Sequence, residues 1–470
     1  MKKQDSQGPG VPELTPAMLD RYDRPGPRYT SYPTAMEFDE RFDADAYTQR
    51  LAQADGADDS PLSVYVHLPF CHHRCLFCGC HVIIMPHQER ARPYLELLKR
   101  EMELIAERLP QRRRVSQLHL GGGTPTYHSP DELRDLLSHL LSLFTPVEGA
   151  ELAIEVDPRV TTADHVDALA DLGFNRISMG VQDFTPEVQR AVERIQSLEQ
   201  TAALVEHARR RGFRGINLDL IYGLPHQNVE SFGQTVESVI RLGADRCAVY
   251  SLAFVPWIRA HMKKIDQDAL PDRETKVALL SVARRRFLEA GYEPIGMDHF
   301  AAGTDELARA RREGRLRRNF QGYTVIPADD VIGFGISAIG DVRGAFVQNH
   351  KKLSTYEQAV GSGRLPVERG FVRDRDDEIR RAVIQELMCN ARLVPQAIEK
   401  SFGVSFGDYF AEDLTRLRRL ADEGLAEIGD DLIRATPTGE LFIRNLAMCF
   451  DRYWREKYEG RSDPIFSRTV

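Results

Sequence analysis

This 470-residue chain has no uninterrupted apolar run near the roughly 20 residues that a bilayer-spanning helix needs, so no membrane span is expected. It has no excess of positive charge: 62 Lys and Arg stand against 70 Asp and Glu. The net charge of −8 argues against bulk affinity for nucleic acid or anionic membrane. The N-terminus lacks the basic stretch followed by an apolar one that marks a secretory leader. Cysteine is scarce, seven in all, and not spread as in a disulfide-stapled secreted domain. These absences point to the reducing cytoplasm. Nothing in the pattern suggests an obligate interface, so a monomer is expected. The length suggests two or three units of ordinary globular composition.

What cysteine there is lies concentrated. Cys71, Cys75, Cys78 and Cys80 fall within ten residues, directly after the apolar alternating segment Val64-Tyr65-Val66-His67-Leu68. The first three, spaced C-x3-C-x2-C, place three thiols on one loop at the end of a predicted strand. A cubane [4Fe–4S] cluster is held by Cys thiolates and has four irons, so three ligands leave one iron open to another molecule. Zinc is the rival reading, because Cys75, Cys78, Cys80, His72, His73 and His81 could form a tetrahedral site. No second Cys/His pair follows at zinc-site spacing, which favours the cluster. Cys247, Cys389 and Cys449 lie far away and read as buried apolar thiols.

Residues 1–10 read as disordered, and residues 11–60 as an arm whose stretch from Pro25 to Thr34, rich in proline and tyrosine, is extended. From residue 61 a rhythm sets in. β-rich runs at 62–68, 115–121, 151–157, 175–181, 216–222 and 246–253 alternate with helical stretches at 87–109, 130–144, 162–172, 186–211, 229–242 and 272–290. Strands alternating with such helices imply parallel βα units. Six units, not the eight of a closed barrel, predict an incomplete (β/α)6 barrel or an open sheet over 61–300. Residues 301–375 form a connecting segment, helical over 301–320 and apolar from Val331 to Ile339. Residues 376–470 read as a separate, mainly helical domain, with helices at 376–392 and 413–423 and a hairpin at 425–436, winged-helix-like in pattern. It carries no basic stripe to support DNA binding.

In βα architectures the site lies at the C-terminal ends of the strands. The cysteine loop is there. So is Gly121-Gly122-Gly123-Thr124-Pro125-Thr126, where glycines let a ligand approach the backbone closely. No Gly-Lys-Ser/Thr follows, which excludes a P-loop. Later strands end in Glu155 and Asp157, in Gln182 and Asp183, and in Asp219. One such residue is an ordinary helix cap; acids and amides at strand end after strand end point to one convergent polar site. Arg194 offers a counter-charge for a carboxylate, although taken alone it reads as a surface ion pair.

Together these residues resemble the radical SAM enzymes, and within them the oxygen-independent coproporphyrinogen III oxidases (dehydrogenases) of bacterial haem biosynthesis. The resemblance runs from Arg28 to Phe450. It rests on RYTSYPT at 28–34, CHHRCLFCGC at 71–80, GGGTPTY at 121–127, EVDPR at 155–159, SMGVQDF at 178–184, DLIYGLP at 219–225, GMDHF at 296–300, RNFQGYT at 318–324 and MCFD at 448–451. It implies that Cys71, Cys75 and Cys78 ligate a [4Fe–4S] cluster and that Cys80 stays outside it. It implies two S-adenosylmethionine molecules. The first would be held by Tyr65, Gly122, Glu155 and Ile339; the second would contact Phe77, Gly123, Thr124, Gln182, Arg194, Asp219 and Ala253.

The implied reaction begins with electron delivery by a reducing electron-transfer protein and cleavage of S-adenosylmethionine to a 5′-deoxyadenosyl radical. Two propionates of coproporphyrinogen III then become vinyl groups, giving protoporphyrinogen IX. An unactivated C–H bond offers no acidic proton to a general base, so a radical-generating cofactor is needed. The substrate's carboxylates call for cations, for which Arg28 and Arg318 are the candidates. Two rivals share the likeness: a haem-binding chaperone, disfavoured by the 28–34 arm and the fourth cysteine, and a radical methyltransferase, disfavoured by GMDHF and RNFQGYT.

Overall fold

The computed structural model of the protein describes residues 15–56, 60–326, 328, 330–461 and 465–468; the disorder expected for residues 1–10 lies outside them. All six alternating runs are strands: β1 Leu62–Leu68, β2 Arg114–Gly122, β3 Thr145–Val156, β4 Arg176–Gln182, β5 Gly215–Tyr222 and β6 Arg246–Ser251. They lie side by side in that order, each parallel to the next. The sheet is wider than the six units predict. Beyond β6 come β7 Tyr292–Ile295 and β8 His299–Ala302, and on the other side β9 Val331–Phe334 runs parallel to β1. β10 Ile339–Val342, β11 Ala345–Asn349 and β12 Val367–Val372 follow in antiparallel pairs. The twelve strands run β12-β11-β10-β9-β1-β2-β3-β4-β5-β6-β8-β7, an open, incomplete barrel.

Strand parity sorts core from lumen. On β5, Ile216, Leu218 and Leu220 are fully buried against the outer helices, while Asn217 and Asp219 between them line an inner cavity. On β2, Leu118 and Leu120 belong to the same apolar core and Gln117 and His119 face inward. The outer helices start where their caps say. Ser129, Thr162 and Asn228 each accept a backbone N–H in a capping box that opens Pro130–Leu143, Ala163–Asp171 and Val229–Arg241.

Two helical expectations are corrected. The stretch 186–211 is two helices, Pro186–Ala191 and Leu198–Arg210. Between them Glu193 takes φ 54°, and the turn carries Arg194 back to Asp157. The stretch 301–320 is helical only over Glu306–Glu313. Gly314 closes that helix in the left-handed region, and Arg317–Arg318 then pairs as a strand with Tyr323–Thr324.

In the C-terminal region, Arg375–Asn390, Pro395–Phe402 and Ala411–Asp422 precede the hairpin Ala426–Ile428/Ile433–Ala435, joined by Arg392–Leu393 into a three-stranded sheet. The arm divides between two cores: Leu19, Tyr22, Tyr29 and Tyr32 pack with Ile379, Val383, Phe442 and Phe450 of this region, while Phe42, Tyr47, Leu51 and Ala54 pack into the barrel core. No helix among the described residues is long and apolar enough to cross a membrane.

Candidate functional site

After β1 the chain turns at Pro69 into the short strand Phe70–Cys71, which pairs in parallel with Ile83–Ile84 and so pinches residues 71–84 into a closed loop. Inside it, Cys78 N–H donates to Cys75 O (3.1 Å), and Leu76 N–H reaches across to Val192 O (3.1 Å). The root of this loop explains the glycine run. A Cβ on Gly122, which takes φ 117°, would fall 2.8 Å from the His67 ring, and one on Gly123 would fall 2.6 Å from the Pro69 carbonyl. The glycines therefore first admit the cysteine loop's own backbone; Gly123 N–H bonds Leu68 O at 2.8 Å.

Cys71, Cys75 and Cys78 line one cavity of about 460 Å³, with Phe77, Gly122, Gly123, Thr124, Glu155, Gln182, Arg194 and Asp219. A cavity of this size suits a nucleoside-sized ligand. A second cavity of about 150 Å³ continues into the lumen and shares Glu155, Ser178 and Asp219 with the first. Three expected cofactor residues lie off its walls. Tyr65 stands behind it, its hydroxyl 3.0 Å from His67 Nδ1; Ala253 is exposed in the segment after β6; Ile339 opens β10.

The charges beside Cys75 and Cys78 favour anionic sulfur. Asp157 holds Arg159 (2.7 Å) and Arg194 (3.0 Å), and both guanidiniums reach the Cys75 sulfur, at 3.4 and 3.6 Å. The Cys78 thiol is pulled below its usual range, chiefly by the neighbouring Cys80 thiol, with Arg74 and Arg259 adding to it. Burial pushes Cys71 up to about 11. Burial also works to raise the Glu155 carboxyl, but His119 at 3.1 Å holds it below the usual range. Among the described residues Asp219 has no ion pair: burial, and then the charge of Glu155, push it up to about 6 against the smaller pulls of Asn217 and His299. Among the described residues no three Cys, His, Asp or Glu side chains gather as a single metal ion requires. A cubane distributes its thiolate ligands over separate irons, and three thiols on one loop beside an open cavity fit it.

Arg28 and Arg318 lie apart from the thiols, on either side of Asp298. Arg28 pairs with its carboxylate at 2.5 Å, and Arg318 donates to Arg28 O at 2.8 Å and lies over the Tyr323 ring. Arg318 lines a further cavity of about 250 Å³ beside the arm. Burial would raise Asp298, but His299, Arg28 and Arg318 hold it well below the usual carboxylate range. Sequence reasoning missed the route from Arg159 to Cys75, although Arg159 stood in the EVDPR fragment. It also missed His261 and Arg259, which bond the carbonyls of Cys78 (2.9 Å) and Gly79 (2.5 Å) from about 180 residues away. No local pattern marks those two.

Comparison with known proteins agrees with this arrangement. The model of the radical SAM superfamily matches residues 65–239, and that of the HemN C-terminal domain matches 374–442. The oxygen-independent coproporphyrinogen III oxidases of Salmonella typhimurium and Escherichia coli are each 47% identical to the chain, over 97% of it and 98% of their own length. That of Synechocystis is 41% identical with the same coverage. The solved coproporphyrinogen III oxidase HemN of Escherichia coli, described as a radical SAM enzyme, superposes with a TM-score of 0.89 at 45% identity, over 94% of this chain and all of that one. With its cysteine loop, its open barrel and its C-terminal region all matched from end to end, the chain belongs to the oxygen-independent coproporphyrinogen III oxidase family of radical SAM enzymes.

Proposed function

We propose that this chain converts two propionate side chains of coproporphyrinogen III to vinyl groups without oxygen, yielding protoporphyrinogen IX. The observation that carries the reading is the three-thiol loop opening on a cavity walled by strand-end polar groups, in a chain so similar to coproporphyrinogen III oxidases throughout its length. Cys71, Cys75 and Cys78 hold a [4Fe–4S] cluster, and Cys80 remains outside it. A bound cluster and S-adenosylmethionine supply a radical able to take a hydrogen atom from an unactivated C–H bond.

The chain's own residues prepare that chemistry. Arg159 and Arg194 compensate thiolate charge at Cys75. Gly122 and Glu155, with Tyr65 and Ile339 further back, serve a first S-adenosylmethionine. Phe77, Gly123, Thr124, Gln182, Arg194 and Asp219 serve a second, with Ala253 at the rim. Glu155, kept ionised by His119, offers an acceptor to an ammonium group. Arg28 and Arg318 take substrate carboxylates; Arg318 lines a cavity of about 250 Å³ beside the arm, and its bond to the Arg28 carbonyl sets the two side by side, which supports this. A small reducing electron-transfer protein supplies electrons, and the enzyme works as a cytoplasmic monomer.

The test is anaerobic incubation with S-adenosylmethionine, a reductant and coproporphyrinogen III. Vinyl product with methionine release is expected, falling to background in Cys75→Ala together with the bound iron. Haem binding without turnover would replace this reading with the chaperone. Unchanged substrate binding in Arg28→Ala or Arg318→Ala would remove that residue from the site.

A further inference from the structure

Outside the barrel, a cavity of about 70 Å³ lies in the seam between the outer helix Arg273–Glu289 and the C-terminal region. It is separate from the lumen. On β6, Tyr250 lines the lumen and Ser251, the next residue, lines the seam, so the two spaces lie on opposite faces of the sheet. Four arginines from four segments line it: Arg28 from the arm, Arg284 from the outer helix, Arg444 from the helix Ile443–Met448 and Arg468 from near the C-terminus.

The nearby carboxylates are already engaged. Asp298 pairs with Arg28 (2.5 Å) and His299 (2.6 Å), Asp23 with Arg468 (2.7 Å), and Glu440 with Arg311 (2.7 Å). Among the described residues Arg284 and Arg444 have no ion-pair partner. Arg284 Nε is buried and makes no hydrogen bond. Arg444, only 4% exposed, directs its donors to backbone carbonyls, Pro27 O at 2.9 Å, Arg468 O at 2.6 Å and Gly26 O among them. Burial, and then the charges of Arg28 and Arg318, push Arg444 down to about 9. One buried guanidinium and one half-buried one, neither with an ion-pair partner among the described residues, are costly, and a divalent anion between them would offset the cost. The space is several times the ~10–15 Å³ that one water needs.

We propose that the seam cavity binds a small free oxyanion of the phosphate class, gripped by the Arg284 fork and tying the arm, the barrel and the C-terminal region together. Forked guanidinium donors match such an anion's paired oxygens. Two cations without an ion-pair partner favour a divalent ion over chloride. Arg28 also reaches the lumen-lining Tyr250 ring (5.9 Å), but Arg284 and Arg444 line the seam and not the lumen, which separates the anion they hold from a substrate propionate.

The experiment is a thermal melt of the anaerobically purified holoenzyme, with inorganic phosphate titrated against chloride at matched ionic strength and neither substrate nor S-adenosylmethionine present. A saturable rise in Tm is expected, with the apparent affinity weakened at least roughly tenfold in Arg284→Gln. No saturable response in the wild type, or an equal response in Arg284→Gln, overturns the proposal. Should Arg284→Gln fail to fold, Arg284→Lys keeps the charge and loses the fork. Weaker phosphate binding by calorimetry then supports the site, and unchanged binding overturns it. Neither outcome bears on turnover.

Discussion

Two aspartates of this protein are pushed up to about 6 by burial, and their surroundings could hardly differ more. Asp219 on β5 is held by its own strand and by β4 before it: Asn217 Nδ2 donates at 2.8 Å and Ser178 Oγ at 3.2 Å. Its remaining face is open to the site cavity. Asp451 is only 2% exposed. It accepts from Trp454 N–H, and from the hydroxyl of Tyr29, 422 positions earlier in the chain. One carboxylate is left for a ligand to satisfy; the other is satisfied by folding the arm down. The same desolvation cost thus marks a binding site in the barrel and a latch at the seam.

A third aspartate bounds the comparison from above. Asp330, just before β9, has a fully buried side chain but a cation of its own: Arg112, which also donates to Ser60 O (2.8 Å) and Ala54 O (3.2 Å). Arg112→Ala leaves that charge only the half-buried Arg343 guanidinium, 3.8 Å away, and is expected to cost about 3 kcal/mol in urea unfolding. A loss below about 1 kcal/mol that persists when Arg343→Ala is added would mean that buried carboxylates here need no partner, and the contrast between Asp219 and Asp451 would lose its physical basis.

The latch is tested next. Tyr29→Phe removes the hydroxyl and leaves a buried Asp451 oxygen unsatisfied, for an expected loss of about 1–3 kcal/mol. Because Tyr29 packs in the C-terminal core, limited proteolysis should cut the arm faster in this variant while the barrel resists as before. Equal cleavage rates would show that the arm is held by its apolar contacts alone.

The two regions also differ in how far they could be read from the chain. The β1–β6 rhythm alternates with period two inside each strand and recurs strand after strand, and the cysteine loop and the strand-end acids each carry a local signal. The strands β7 to β10 are four residues long, too short for alternation to stand out, so the sheet's true width was hidden. The glycine run stands out in the sequence, but its first partner is the loop root at Pro69, which only the fold brings within reach. The seam left no trace in sequence. Arg444 to Pro27 and Tyr29 to Asp451 join residues more than 400 positions apart, with nothing in either segment to announce the other.

The smallest effect is the most discriminating, because it isolates Asp219 from everything that holds the fold. Its folded-state value of about 6 lies above the unfolded value near 4, so the folded chain holds that proton more tightly. Its contribution to stability therefore falls as pH rises from about 4 to 6. The cost is complete above 6 and absent below 4. Asp219→Asn removes it while Asp451 keeps its own slope. The ligand-free variant should exceed the wild type by on the order of 1–2 kcal/mol at pH 8, with the gain shrinking toward pH 5. A gain that does not vary with pH would assign it to packing or hydrogen bonding instead. An open carboxylate that destabilises the empty protein and is released by neutralisation is what a site awaiting a cationic ligand should contain, and Asp451, closed by Tyr29, is the internal control.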